Sequence, residues 1–262
     1  GAHVVYGVVG HKTHAKMSMI VRREAGKLVR YVHLGTGNYH PRTARFYTDF
    51  DLLTCRPEVC ADVNEVFQQL TGLGRASKLN HVWQAPFTMH QQVLEAIDNE
   101  TRHARAKKPA RIIAKMNALL EPQIIEALYK ASQAGVRVDL IVRGVCALRP
   151  QVKGLSDNIR VRSVIGRFLE HTRVFHFRNA RAQVWLSSAD WMDRNFFRRI
   201  ELAFPVLEAK MRKRIMDEGL KSYLADNVQA WDMQPDGIFK RVKRGRSKAH
   251  CAQRELMKAL AT

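Results

Sequence analysis

Two short clusters combine a histidine with a cation at a spacing suited to phosphoryl chemistry. The first is His11-Lys12-Thr13-His14-Ala15-Lys16 and the second is His171-Thr172-Arg173. Neutral imidazole is a competent nucleophile near pH 7, and a second, protonated imidazole can donate to a departing phosphate. A Lys or Arg two positions along a strand projects from the same face as the histidine. Lys16 and Arg173 could therefore hold a phosphoryl group while it moves between partners. A small polar loop follows each cluster by about one hairpin: Gly35-Thr36-Gly37-Asn38 after His14, and Ser187-Ser188-Ala189-Asp190 after His171. Such loops offer backbone N–H and hydroxyl donors to phosphate oxygens. One His-x-Lys alone is a weak signal in a chain with 11 histidines. The repeat is stronger, and it suggests duplicated domains whose histidines face each other.

The elements that must position these residues are legible in part. Strands are expected at 17–22 and 28–34, separated by the turn-prone Glu24-Ala25-Gly26. Val63, Val66, Phe67 and Leu70 recur at helical spacing, with Gly72 as a stop. Thr88 with Gln91 matches a capping box ahead of a helix whose apolar face is Val93, Leu94 and Ile97. A domain boundary is expected across Arg75 to Pro86, where periodicity fades and Gly74 and Pro86 flank the segment. A strand at 112–114, a helix through Leu120, Ile124, Leu128 and Ala131 ending at Gly135, and a strand at 136–142 then form a β-α-β unit. Arg143 falls at the carboxyl end of its last strand, where open α/β sheets bind ligands. Further strands are expected at 159–164, 172–177, 184–187 and 200–206. A long helix over 207–224 would carry Leu207, Met211, Ile215 and Tyr223 inward.

The 262 residues, 46% of them hydrophobic, can bury a sizeable core of one or two domains. No run approaches the roughly 18 apolar residues of a membrane span. The abrupt entry from Gly1-Ala2-His3 into Val4-Val5-Tyr6-Gly7-Val8-Val9, without a signal-peptide pattern, suggests a chain that begins inside a domain. Cys55, Cys60, Cys146 and Cys251 fit no zinc spacing and read as reduced thiols. The formal net charge of +20 favours a polyanionic partner, and part of the excess lies in Lys240 to Lys248, which reads as a solvated, mobile extension.

The paired His-x-Lys and His-x-Arg resemble the histidine motifs of the phospholipase D superfamily. That motif carries an Asp five positions after the cation, where this chain has Val21 and Arg178. The departure counts against a phosphodiesterase and resembles the polyphosphate kinase branch. Longer strings resemble that branch specifically: Tyr31-Val32-His33-Leu34-Gly35-Thr36-Gly37-Asn38-Tyr39-His40-Pro41, Asp62-Val63-Asn64-Glu65-Val66-Phe67, Ile113-Ala114-Lys115-Met116-Asn117, Asp139-Leu140-Ile141-Val142-Arg143-Gly144, Arg167-Phe168-Leu169-Glu170-His171-Thr172-Arg173 and Ser187-Ser188-Ala189-Asp190-Trp191-Met192-Asp193-Arg194-Asn195.

The resemblance implies an α/β fold of two phospholipase-D-like domains, the first truncated, each a mixed, largely parallel sheet flanked by helices. It implies a first domain over 1–80, a second over 81–235 and a basic tail over 236–262. It implies reversible transfer of the terminal phosphoryl group of ATP to inorganic polyphosphate. His14 would be the phosphorylated histidine, His171 would assist from the second domain, Tyr47 would contact the nucleotide base and Arg143 the phosphates. Lys16 and Arg173 join them on the chemical argument. Mg2+ is implied as cofactor, with its ligands outside this chain. The implied partners are ATP/ADP and polyphosphate, with no specific nucleic acid. The implied full-length enzyme is a cytoplasmic homo-oligomer, a dimer or tetramer, and peripheral membrane association is left open. A phospholipase-D-like phosphodiesterase or nuclease using the same histidines is the alternative, and a non-catalytic nucleic-acid module a third reading. His11 and His40 are taken as bystanders and His33 as a packed core histidine.

Overall fold

The structure is a computed structural model and describes residues 1–72 and 78–261. Part of the expected boundary segment, Gly74 and Arg75 included, lies outside the described residues.

The first part of the chain is built on a hairpin. Strands β1 (Lys12–Thr13), β2 (Lys16–Glu24) and β3 (Lys27–Gly35) precede β4 (Tyr47–Thr48), β5 (Asp51–Thr54) and helix α1 (Pro57–Leu70). Ala25 and Gly26 both take positive φ (47° and 78°), the requirement of a two-residue turn that matches strand twist, so Glu24 pairs with Lys27 and the register is fixed. β5 adds to the free edge of β3, giving an antiparallel sheet of order β2-β3-β5. Pro57 opens α1, where its missing N–H costs nothing. Val59, Val63 and Val66 of α1 pack on Val32 and Leu34 of β3. His33 lies between those two in sequence and therefore on the opposite face. It is half-buried there, with Nδ1 2.7 Å from the Tyr39 hydroxyl, so it is not the packed core histidine expected from its apolar neighbours.

The rest of the chain supplies β6 (Trp83–Ala85), α2 (Met89–Arg105), β7 (Arg111–Met116), α3 (Pro122–Gln133), β8 (Arg137–Val142), β9 (Ile159–Val164), β10 (Leu169–Glu170), β11 (Arg173–Phe177), β12 (Val184–Ser187), α4 (Asp193–Arg198) and β13 (Arg199–Pro205). After these come α5 (Ala209–Ile215), a π-helical turn at Met216–Lys221, α6 (Ser222–Ala225), β14 (Ala230–Met233), β15 (Phe239–Arg241) and α7 (Ala252–Leu260). The main sheet has order β1-β13-β12-β11-β7-β8-β9-β14-β15, with β6 also on β13. Its β7-β8-β9 centre is parallel, as the β-α-β pattern requires, and antiparallel strands flank it. α2 and α3 cover one face around Phe175, Phe177 and Trp191. α1 and the α5–α6 segment cover the other around Ile113, Ile141 and Val174. β1 pairs in parallel with β13, so the two parts of the chain share a sheet at the residues just before His14.

Three local expectations differ from the structure. Thr88 does precede α2, but its hydroxyl is engaged with Gln84 on both sides and the Gln91 amide donates to Glu95, so no capping box forms. The 207–224 helix runs through a π-turn at its middle, which rotates its faces. Ile215 and Tyr223 are buried while Met211 is exposed. The basic stretch 241–249 is largely exposed, yet beyond it the chain returns to the core through α7, with Cys251, Ala252 and Gln253 buried.

Candidate functional site

The structure gathers His14, Lys16, His171, Arg173, Tyr47 and Arg143 around the carboxyl ends of the central strands. His14 follows β1, where its backbone N–H donates to the Ile200 carbonyl. Its Nδ1 lies 2.8 Å and 2.9 Å from the two carboxylate oxygens of Glu201, the fully buried acid of β13. The Ser188 hydroxyl donates to the same carboxylate at 2.5 Å, and Arg199 stands 3.8 Å away. No described residue hydrogen-bonds Nε2 of His14, so with Nδ1–H held by Glu201 the Nε2 lone pair points free.

His171 has the mirror arrangement. Its Nδ1 lies 2.8 Å from Asp49, which also accepts from the Thr36 hydroxyl at 2.9 Å. Each histidine thus takes its orienting carboxylate from the other part of the chain, and the hydroxyl of each small polar loop fixes that carboxylate. Thr36 and Ser188 are therefore spent on Asp49 and Glu201 rather than offered to a ligand. Gly37 makes this approach possible: a Cβ there would stand 2.1 Å from an Asp49 oxygen.

The two imidazoles differ at Nε2. That of His171 is 3.0 Å from Arg173 Nη1, which donates to it. Burial lowers the His171 pKa, the Asp49 hydrogen bond opposes this, and Arg173 and Lys16 add to the lowering. Arg173 is itself buried and bidentate to Asp190, at 3.2 Å and 3.0 Å, with further bonds to the carbonyls of His171 and Thr36. Burial works against the charge on Asp190, but Arg173 and the Asn117 N–H hold its carboxyl below the usual carboxylate range. Asn117 continues the chain of contacts to Arg143, whose Nε donates to its side-chain oxygen at 3.0 Å. No described residue takes the two terminal nitrogens of Arg143.

Lys16 is the unbalanced charge. It is 6% exposed, and its Nζ has no hydrogen-bond partner. Burial lowers its pKa to about 8, with Arg173 and Arg199 adding to the effect and Glu201 and Asp49 opposing it. A buried ammonium without a partner is costly, and an anion arriving beside it removes that cost.

A second buried network backs His171. Glu170 accepts from Lys115 Nζ (2.6 Å), the Thr48 hydroxyl (2.9 Å), the Tyr223 hydroxyl (3.0 Å) and the Gln253 amide (2.5 Å). Lys115 also lies 3.3 Å above the Tyr223 ring. Burial and the neighbouring Glu170 push the Tyr223 phenol well up, so it remains a donor. Tyr47 stands at the rim, its ring centroid 5.1 Å from that of His171, and lines a cavity of about 470 Å³ with Phe168, Leu256 and Met257.

Among the described residues no group of three His, Cys, Asp or Glu side chains is placed to hold a metal. Among the described residues no helix is long and apolar enough to cross a membrane.

Glu201 and Asp49 have no role in the motif reading, and Glu170 and Lys115 enter it only as members of strings that resemble the family. Glu201 left one trace in the sequence, a single acid inside the run Ile200-Glu201-Leu202-Ala203-Phe204. Asp49 left none, because its partner is 122 residues away.

Residues 1–76 match the family model described as polyphosphate kinase C-terminal domain 1, and residues 82–253 match polyphosphate kinase C-terminal domain 2. The polyphosphate kinase of Paraburkholderia phytofirmans is 62% identical over 252 residues, covering 94% of this chain and 37% of that protein. That of Burkholderia multivorans is 62% identical with the same coverage. The crystal structure of polyphosphate kinase from Porphyromonas gingivalis superposes with a TM-score of 0.90 at 35% identity, over 97% of this chain and 39% of that one. The chain thus spans a little over a third of the length of these relatives.

Proposed function

Because the chain belongs to the polyphosphate kinase family, we propose that it carries the phosphohistidine centre of an ATP:polyphosphate phosphotransferase, with His14 as the group that is phosphorylated. The observation that supports this most directly is the free Nε2 of His14, aligned by buried Glu201 and standing in a site with the unpartnered ammonium of Lys16.

In the forward step Nε2 attacks the terminal phosphorus of ATP. The N–P bond forms, the bond to the bridging oxygen breaks, and ADP leaves with that electron pair. The imidazole then bears a positive charge with its proton on Nδ1, and the Glu201 carboxylate stabilises it. In the second step a terminal oxygen of polyphosphate attacks the same phosphorus and the nitrogen recovers its lone pair. Every bond made has a counterpart in the reverse direction, so transfer is reversible. Lys16 and the terminal nitrogens of Arg143 supply positive charge to the equatorial oxygens. Tyr47, at the rim, contacts the nucleotide. His171, neutral with Nε2 receiving Arg173, positions that guanidinium within the site and leaves no free lone pair to activate water. This last point disfavours the phosphodiesterase alternative, as do Val21 and Arg178 at the places of the motif acids. Mg2+ would come with the nucleotide, held by residues elsewhere in the complete protein. The full-length protein is proposed to be a homo-oligomer, and a cytoplasmic place fits its substrates.

The test is labelling of the full-length protein with γ-labelled ATP, wild type against His14→Ala. An acid-labile, base-stable label present only in the wild type is expected. Undiminished label in the variant would remove His14 from its role.

A further inference from the structure

The main sheet has a second cationic cavity at its opposite end. α5 and α6 cover only part of one sheet face, with Ile215, Leu220 and Tyr223 packed over Ile113, Ile141 and Val174. Toward the amino ends of β7, β8 and β9 that same face changes from aliphatic to arginine. The register aligns Arg111 with Arg137, Asp139 with Arg160, and Ile141 with Arg162. With Lys221 from the helical segment these four arginines line a cavity of about 490 Å³. Asp139 lies between Arg111 (2.8 Å) and Arg137 (3.0 Å), and Asp232 pairs with Arg162 at 2.9 Å. Lys221 is itself paired with Asp217 at 2.7 Å, so the lining's formal charge of +3 falls to +2 with that neighbour, and Arg160 has no partner among the described residues. His176 lies on the same face, opposite Ile113 in the register. Its pKa is lowered to about 4 by burial first, with Arg111, Arg178 and Lys221 adding to the effect.

Arg111 and Arg137 are met by Asp139, and Arg162 by Asp232 and the carbonyls of Tyr223 and Asp226, so Arg160 and the remaining excess of positive charge are what an incoming anion would meet. Among the described residues no aromatic side chain lines this cavity. Single-stranded nucleic-acid sites rely on aromatic stacking platforms as well as charge. The lining instead suits a ligand that is phosphate throughout. β7 is six residues long, so Arg111 lies roughly 17 Å from the Asn117–Arg143 end where the histidines gather.

We propose that this cavity is a second, non-catalytic docking site for the inorganic polyphosphate chain, which holds a long chain while its end occupies the histidine site. The proposal rests on the polyphosphate-transfer reading above. Engagement at two points raises the effective concentration of a chain long enough to reach both, and gives nothing to a chain too short.

The experiment compares Arg137→Glu/Arg160→Glu with wild type in the full-length protein, using tripolyphosphate and a chain of about a hundred phosphates. The expected result is a KM for the long chain raised about tenfold, with kcat and the KM for tripolyphosphate unchanged. Phenylglyoxal footprinting should show Arg160 protected by the long chain and left reactive by single-stranded DNA of matched charge. An unchanged long-chain KM, or equal protection by the DNA, would overturn the proposal. If the double variant loses kcat with every substrate, Arg160→Gln, which breaks no contact, decides by the same KM comparison. Labelling of His14 is scored separately. A labelled wild type with no chain-length effect refutes the second site alone, and an unlabelled wild type refutes the underlying reading.

Discussion

Replacing Lys16 by Met should make the ligand-free protein more stable at neutral pH while disabling its phosphate site. Lys16 is buried and its Nζ lacks a partner, and its pKa falls from 10.5 to about 8, burial being the main cause. That difference corresponds to about 3 kcal/mol of unfavourable free energy for the ionised form in the folded state. Between the two values the unfolded chain holds a proton that the folded one has released, so stability gained from this group rises with pH. Below pH 8 the cost is present in full, and it is relieved as pH climbs toward 10.5. Met keeps the apolar stem and removes the charge. The variant should therefore unfold at higher urea concentration at pH 7, by up to about 3 kcal/mol, less whatever Glu201 loses with its cationic neighbour. The difference between variant and wild type should shrink steadily from pH 8 to pH 10. In parallel, calorimetry of tripolyphosphate binding at pH 8.5 in buffers of different ionisation enthalpy should show proton uptake in the wild type and less in the variant. A variant less stable than wild type at pH 7, or a stability difference independent of pH, would refute the account of Lys16 as a strained cation awaiting an anion.

Glu201→Gln should reduce phosphoryl transfer by at least about a hundredfold with little change in KM, because it removes the charge that aligns His14 and stabilises its phosphorylated form; steady-state rates at saturating ATP check this. Glu170→Ala should destabilise the fold by roughly 3–5 kcal/mol by leaving Lys115 buried without its carboxylate, and Glu170→Ala/Lys115→Met should recover part of the loss in urea titrations. Gly37→Ala should lower kcat by displacing Asp49 from His171, while the melting temperature falls only modestly, since the clash lies against a half-buried side chain.

The helix through Val63 and Leu70 is legible because it buries one stripe, which writes a helical period into the sequence, and β7 and β8 are legible as short apolar runs because both of their faces are covered. The hairpin strands 17–22 and 28–34 are legible from their β-branched and apolar residues and the turn between them, although 17–22 buries no residue. The turn at Ala25-Gly26 was legible because its backbone demands unusual φ values. What is not legible at Thr88 and around the histidines has two causes, a local alternative in the first case and long-range partners in the second. Thr88 bonds Gln84 rather than Gln91 because the local turn over 84–88 already takes both its backbone N–H and its hydroxyl. Met211 is exposed although it lies one regular turn before buried Ile215, and the π-turn at Met216–Lys221, which shifts the face only beyond Ile215, does not account for it. The histidines and their cations could be picked out as a repeated pattern, whereas Asp49 and Glu201 could not be assigned to them. A carboxylate supplied across 122 or 187 positions has no spacing to recognise. Thr36 and Ser188 were legible as donors but not as donors to protein, since the sequence does not say which acid will stand opposite.

The crossed supply of carboxylates also acts as an interlock. While either half is still unfolded, or has been cut away, the histidine of the other half has lost the group that sets its tautomer and direction. A partly assembled molecule then holds an imidazole with no fixed aim, which on the proposed reading would leave it unready to take phosphate from ATP. On that reading, reactivity toward ATP would need both halves in place. The crossed carboxylates thus make the orientation of each histidine conditional on the other half of the chain.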